Sequence, residues 1–282
     1  MKRRILLLAG LAALTLASLQ PAFADEDAAW TACSADDAKT AIEGCTKVLA
    51  RGAKETLEDR ATAYTNRGIS YDDLGNKQKA IEDYTAAIKL NPKNVDAWYN
   101  RGLVRDDRGE VDTALADYSE AIRLDPKNVD ALNNRGLLRR NKGEIDLALQ
   151  DYNKALSLKP DDTDVLINRG NAYSDKDDKA KALVDYNKAV RLNPGDADGW
   201  YDRGLLYRDS ERFDDAVKDF SKAVSLDPKY GNALYERARI YTDRKEFDRA
   251  IADLTLALKL KPDDDDVKAA LAEAQDGKKH KR

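Results

Sequence analysis

Arginine and aspartate recur in this chain at a fixed separation, and their chemistry asks for an explanation first. Arg67, Arg101, Arg135, Arg169, Arg203 and Arg237 are followed, sixteen residues on, by Asp83, Asp117, Asp151, Asp185, Asp219 and Asp253. A row of guanidinium groups could bind an anionic ligand. Its equal presence in every period favours an ion pair instead, because arginine offers a planar fork that matches a carboxylate. Two pairings are open: within a period (Arg101 with Asp117) or across the junction (Arg101 with Asp83). Such pairs set register more than they add net stability. Cys33 and Cys45 are the two cysteines. In an oxidising compartment, cysteines so close in sequence form a disulfide; two buried thiols are the alternative. No histidine or basic cluster accompanies them, as an activated nucleophile would require. The one histidine, His280, lies in the terminal basic run. The acidic run from Asp263 to Asp266 lacks the spaced ligands and glycine turn of a calcium loop and reads as helix capping. No phosphate-cradling loop or metal-ligand spacing is present. No catalytic residue, metal or cofactor is therefore expected, and the chain reads as a binding protein rather than an enzyme.

The elements that position these residues repeat. Six of the seven prolines fall at 92, 126, 160, 194, 228 and 262, always 34 residues apart. A fixed period of this size marks a stack of identical supersecondary units. In the unit 95–128, Trp98, Gly102 and Arg105 sit at helical spacing, as do Ala114, Tyr118, Ala121 and Leu124. Two amphipathic runs separated by Gly109 predict a helical hairpin. Gly109 supplies a left-handed terminus, Asp112 suits the start of the second helix, Pro126 cannot continue it, and Asn128 caps the next helix. The small residues leave room where helices cross, beside the large Tyr84, Tyr118, Tyr152, Tyr186, Phe220 and Leu254.

The 34-residue period, the Trp/Tyr–Gly–Tyr first helix, the Ala–Tyr/Phe–Ala second helix and the closing proline resemble the tetratricopeptide repeat. The resemblance covers residues 61–264, as units 61–94, 95–128, 129–162, 163–196, 197–230 and 231–264. It implies an all-α fold, a right-handed α-solenoid of stacked helix-turn-helix units with a concave groove. It departs from the pattern at Arg105 and Arg139, which replace an aromatic residue, and at Asp177, Glu211 and Lys245, which replace the turn glycine. These departures should cost local stability. The resemblance further implies that the second, fifth, ninth, twelfth and thirteenth positions of each first helix line the groove. In unit 95–128 these include Asp96, Tyr99, Leu103, Asp106 and Asp107; the next unit adds Asp130, Leu137 and Arg140. Unit 197–230 supplies Asp198, Tyr201, Leu205, Arg208 and Asp209, and the last unit Tyr235 and Arg239. Ile69 and Ile167 occupy the same positions. Eleven of the thirty positions are Asp and three are Arg, so the groove is expected to be acidic with an apolar and aromatic stripe. That suits a protein or peptide bearing basic and apolar side chains. Soluble surface charge alone is the bland alternative, and self-association as a structural assembly factor, or service as an enzyme's accessory subunit, are the other functional readings. Oligomeric state is open.

The termini read differently. Lys2, Arg3 and Arg4, the apolar run from Ile5 to Leu19, and Ala22-Phe23-Ala24 form a secretory signal peptide over 1–24, cleaved between Ala24 and Asp25. The run is too short for a membrane span. The formal net charge is −4, and loss of this leader makes the rest more acidic, which disfavours nucleic acid as a partner. The absence of an Asn-x-Ser/Thr acceptor fits an exported bacterial protein in the periplasm, or a secreted one. Residues 25–56 read as a degenerate capping repeat with Cys45 in the core aromatic position and a capping box from Ser34 to Asp37. Thr56 to Asp59 form a second box, placing the start of the repeat array at 57 and its end at 264. Residues 265–276 read as a C-terminal capping helix, and 277–282 as a basic disordered tail.

Overall fold

A computed structural model describes residues 28–280. They divide after Leu138 into two units, and no strand occurs among the described residues. The first unit holds a helical stretch at 28–33 (α1), α2 (Ala38–Ala50), a 3-10 turn at Gly52–Lys54, α3 (Leu57–Asp73), α4 (Lys77–Leu90), α5 (Val95–Asp107) and α6 (Val111–Leu124). α7 (Val129–Asn141) contains the dividing point. The second unit continues with α8 (Ile145–Leu158), α9 (Thr163–Asp175), α10 (Lys179–Leu192), α11 (Ala197–Asp209), α12 (Phe213–Leu226), α13 (Gly231–Asp243), α14 (Phe247–Leu260) and α15 (Asp265–His280). Residues 1–27, with the expected leader and its Ala24–Asp25 cleavage point, lie outside the described residues.

Several helices begin where an acceptor side chain meets the orphan amides, whereas α6, α8, α12, α13 and α14 have no side-chain cap. Asn94 accepts from the Ala97 amide at 3.0 Å and Asn128 from the Ala131 amide at 2.9 Å. Thr56 caps α3 through the Asp59 amide at 3.0 Å. α2 is capped by Asp37, which accepts from the Thr40 amide at 2.8 Å, so the cap falls three residues after Ser34. Hairpin turns demand a left-handed residue, and Gly75, Gly109 and Gly143 provide it at φ 75°, 75° and 79°. Asp177, Glu211 and Lys245 adopt the same conformation at φ 59°, 57° and 61°, where a Cβ is strained.

Helix crossings are close because glycine faces the core aromatic ring. A Cβ on Gly102 would stand 2.8 Å from Tyr118, and one on Gly204 2.7 Å from Phe220. The last repeat solves the same contact with the reverse pair, Ala238 and Leu254, both fully buried. The arginine–aspartate pairs close within a period. Arg101 forks onto Asp117 with Nε at 2.9 Å and Nη2 at 2.8 Å. Arg67, Arg169, Arg203 and Arg237 repeat this on Asp83, Asp185, Asp219 and Asp253. The remaining Nη1 donates to the preceding hairpin, to Thr85 from Arg101 at 2.9 Å and to Ser221 from Arg237 at 2.9 Å. Arg105 and Arg139 do not leave gaps: Arg105 adds a second guanidinium to Asp117 at 2.8 Å, and Arg139 binds Asp151 at 2.7 Å. The two departures thus trade an aromatic contact for a second guanidinium on the clasp carboxylate.

Both ends are covered. Cys33 and Cys45 form a disulfide with Cα atoms 4.4 Å apart, fully buried with Val48 and Ala63. Gly44 lets α2 approach α1 so closely that a Cβ would stand 2.6 Å from Ala32. At the other end α15 packs Val267 and Ala274 on Leu254 and Ala257. The expected disordered tail from 277 is replaced, as far as His280, by helix. Gly277 passes over the Phe247 ring, where a Cβ would stand 2.5 Å from Cε1 and 2.6 Å from Cζ, and Lys278 pairs with Asp248 at 2.5 Å.

Candidate functional site

Helical periodicity places Asp96, Tyr99, Leu103, Asp106 and Asp107 on one side of α5. In the first unit Tyr99 and Leu103 rest half-buried on Tyr118 and Leu138, with the Tyr99 and Tyr118 rings 6.0 Å apart. Tyr99 Oη accepts from Asn134 Nδ2 at 3.2 Å. Burial and the nearby Asp130 push its pKa up to about 12. Asp107 pairs with Lys77 at 2.5 Å. Asp106 is half-buried, and its side chain makes no hydrogen bond or ion pair among the described residues; burial and Asp107 raise its pKa. Asp130 is exposed, Asp96 is half-buried, and Leu137 is half-buried on α7. Beneath them the Tyr118 hydroxyl is buried, and burial and Asp106 push its pKa far up against the opposing effect of Asn134.

In the second unit the same positions have companions. Tyr201 lies 5.8 Å from the Phe220 ring and 4.9 Å from Tyr230. Asp198 accepts from Tyr230 Oη at 2.6 Å. Arg208 holds Asp209 at 2.7 Å and Glu236 at 2.6 Å. Leu205 packs on Phe220. Tyr201 and Tyr235 share a cleft of about 460 Å³ with Asn232, Lys229, Lys261 and Val267. Ile69 and Ile167, at the ninth and fifth positions of their units, are buried in the core at 1% and 9% exposure and leave the exposed set.

Sequence reasoning passed over two arrangements here. Arg140 holds Asp175 with Nε at 2.6 Å, and its charge acts on the Tyr152 and Tyr186 hydroxyls. Asp202 receives Asn171 Nδ2 at 3.1 Å, while Asn171 Oδ1 accepts from Tyr186 Oη. Burial raises the Asp202 pKa from 3.8 to about 6, with Asp198 and Asp196 adding to it. The signal was available: the sixth residue of the first four units is Asn66, Asn100, Asn134 or Asn168, and Asp202 breaks that row.

Consecutive helical hairpins with left-handed turns, five of them held by an arginine–aspartate clasp, define an all-α repeat protein. Tetratricopeptide-repeat family models match residues 65–129 and 201–265, and 129–162 and 163–196. The chain belongs to the tetratricopeptide repeat family. A comparison with curated protein sequences finds no match. Among solved structures it resembles a tetratricopeptide repeat protein from Parabacteroides merdae (21% identity, TM-score 0.68, covering 90% of this chain and 98% of that one). It also resembles Pseudomonas aeruginosa pilF (21%, 0.67, 77% and 99%). The third is a chain of the APC/C hetero-tetramer Cut9-Hcn1 (22%, 0.69, 82% and 44%), less than half of which is spanned. These likenesses concern the fold.

Proposed function

We propose that the protein is a non-enzymatic scaffold that docks a protein or peptide segment with basic and apolar side chains along the first-helix faces. The observation that carries this is on α5: half-buried Tyr99 and Leu103 lie among Asp96, Asp106, Asp107 and the nearby Asp130. A stripe of this kind offers apolar contact for affinity and carboxylates for orientation. The docking residues are Asp96, Tyr99, Leu103, Asp106, Asp107, Asp130 and Leu137, with Asp198, Tyr201, Leu205, Asp209 and Tyr235 as their counterparts further along. Site of action outside the cytoplasm, in the periplasm, is supported by the basic and apolar start of the sequence and by the Cys33–Cys45 bond. No helix among the described residues is long and apolar enough to cross a membrane.

Fluorescence anisotropy with two labelled nonapeptides tests the reading, one alternating Leu and Lys, the other Leu and Glu. The Lys peptide is expected to bind more tightly and to weaken as salt rises, since exposed charges are screened over roughly 8 Å at physiological ionic strength. Preference for the Glu peptide overturns it.

A further inference from the structure

The last repeat opens a cleft, and one residue accounts for the room in it. The first residue of each earlier unit is Ala61, Val95, Val129, Thr163 or Ala197; in the last unit it is Gly231. Gly231 starts α13 beside Leu260, the last residue of α14. A Cβ built on Gly231 would meet nothing nearer than Leu260 Cδ1, at 4.0 Å, and Leu260 stays 38% exposed. The cleft of about 460 Å³ lies against both residues. Its apolar lining is Ala257, Leu260 and Val267, with Tyr201 and Tyr235 beside them. A concave site of this size, mostly apolar with a few polar groups, suits a compact ligand group.

The two tyrosines are held in place. The Tyr201 ring lies 5.8 Å from Phe220 and 4.9 Å from Tyr230, and Tyr230 is itself tied to Asp198 through its hydroxyl. The Arg239 guanidinium stands 5.8 Å from the centre of the Tyr235 ring. The charges around the cleft answer one another. Glu236, which lines it, meets Arg208 at 2.6 Å and Arg239 at 3.8 Å. Lys261 meets Asp264 at 2.9 Å. Lys229 and Asp266 are exposed and opposite in sign. A charged side chain entering here would give up water for counter-charges that are already engaged. An uncharged ring would bury apolar surface and find two aromatic neighbours at fixed positions.

We propose that this cleft seats one aromatic side chain of the docked segment. The proposal rests on the docking reading above, with which it shares Tyr201 and Tyr235, and adds which kind of residue anchors the segment and where. Aromatic side chains in fitted pockets carry a large share of binding energy at protein interfaces.

The test uses the whole chain, the Leu/Lys nonapeptide, and its counterpart with tryptophan at the central Leu, read by fluorescence anisotropy. The Trp peptide is expected to bind the wild-type chain roughly fivefold more tightly, the effect of one aromatic contact beyond the area it buries. Gly231→Val, which copies Val95 and Val129, is expected to erase that advantage, and Gly231→Ala to reduce it. Neither should lower the melting temperature, because the added atoms enter open space and glycine is the poorer helix former. Equal affinity of the two peptides for the wild-type chain, or a Trp advantage undiminished in both variants, overturns the aromatic seat while leaving the docking reading intact. Failure of both peptides to bind the wild-type chain overturns both.

Discussion

Up to Leu138, the second, fifth, ninth, twelfth and thirteenth positions of the first helices carry Asp72, Asp73, Asp96, Asp106, Asp107 and Asp130 with no arginine among them. From Arg139 onward they carry Arg140, Arg208 and Arg239, and each lies within ion-pair reach of a carboxylate of its own chain. The turns differ as well. The first region turns at Gly75 and Gly109, whereas the second turns once at Gly143 and then forces Asp177, Glu211 and Lys245 into the left-handed region. The two regions share one backbone plan but distribute charge differently. In the second, opposite charges close on each other. In the first, carboxylates stand at these positions without arginines, and Lys77 from another helix meets Asp107.

The comparison can be broken first at Asp202, the acidic exception in the asparagine row. Its folded pKa of about 6 lies above the ordinary 3.8, so ionisation opposes the folded state. The stability available below pH 4 is lost as pH rises from about 4 to about 6, and is flat beyond. Asp202→Asn should restore the pattern of Asn134 and Asn168. It should raise stability at pH 7 by up to about 2 kcal/mol, at 1.36 kcal/mol per unit with allowance for partial exposure. Urea unfolding of both proteins at pH 4 and pH 7 checks this; an equal difference at the two pH values rejects it.

The core contact comes next. Gly102→Ala and Gly204→Ala should each destabilise by about 1–2 kcal/mol through overpacking on Tyr118 and Phe220. Adding Phe220→Leu to Gly204→Ala should recover part of that loss, because Ala238 and Leu254 already form such a pair. Calorimetry of the single and double variants measures the coupling, and strict additivity would show that the pair is coincidental. The smallest effect is at the turns. Glu211→Gly should stabilise by about 1 kcal/mol and Gly109→Ala should destabilise by a similar amount. Opposite signs in thermal melts are the expected result; the same sign would remove the strain from the difference between the two regions.

Much of this architecture was legible in the sequence. Proline spacing located the hairpin ends because a proline cannot continue a helix, and the glycine and alanine rows located the crossings because only small residues fit there. The clasp was half legible. The sixteen-residue separation named its members, but it took coordinates to choose Asp117 over Asp83 for Arg101. The partners of Arg105 and Arg139 were not legible because they lie twelve residues away on another helix. The helix beyond 276 was hidden because its support, Asp248 and Phe247, belongs to the preceding hairpin. In the candidate site, the identity of the side chains was readable but their satisfaction was not. Asp107 and Asp106 are neighbours of one type, yet Lys77 reaches only the first.

The third donor of each clasp gives the array a direction. Two nitrogens of Arg169 stay within its own hairpin, and the third reaches back to Asn153 at 2.8 Å. Arg203 reaches back to Asn187, and Arg67 to Thr46, in the same sense. A hairpin that emerges with its predecessor already folded can therefore complete its clasp at once. Removing hairpins from the C-terminal side strands no donor of a clasp arginine, although Arg140 and Arg208 lose Asp175 and Glu236, whereas removing them from the N-terminal side strands one clasp donor at each new edge. Synthesis from N- to C-terminus runs with this grain.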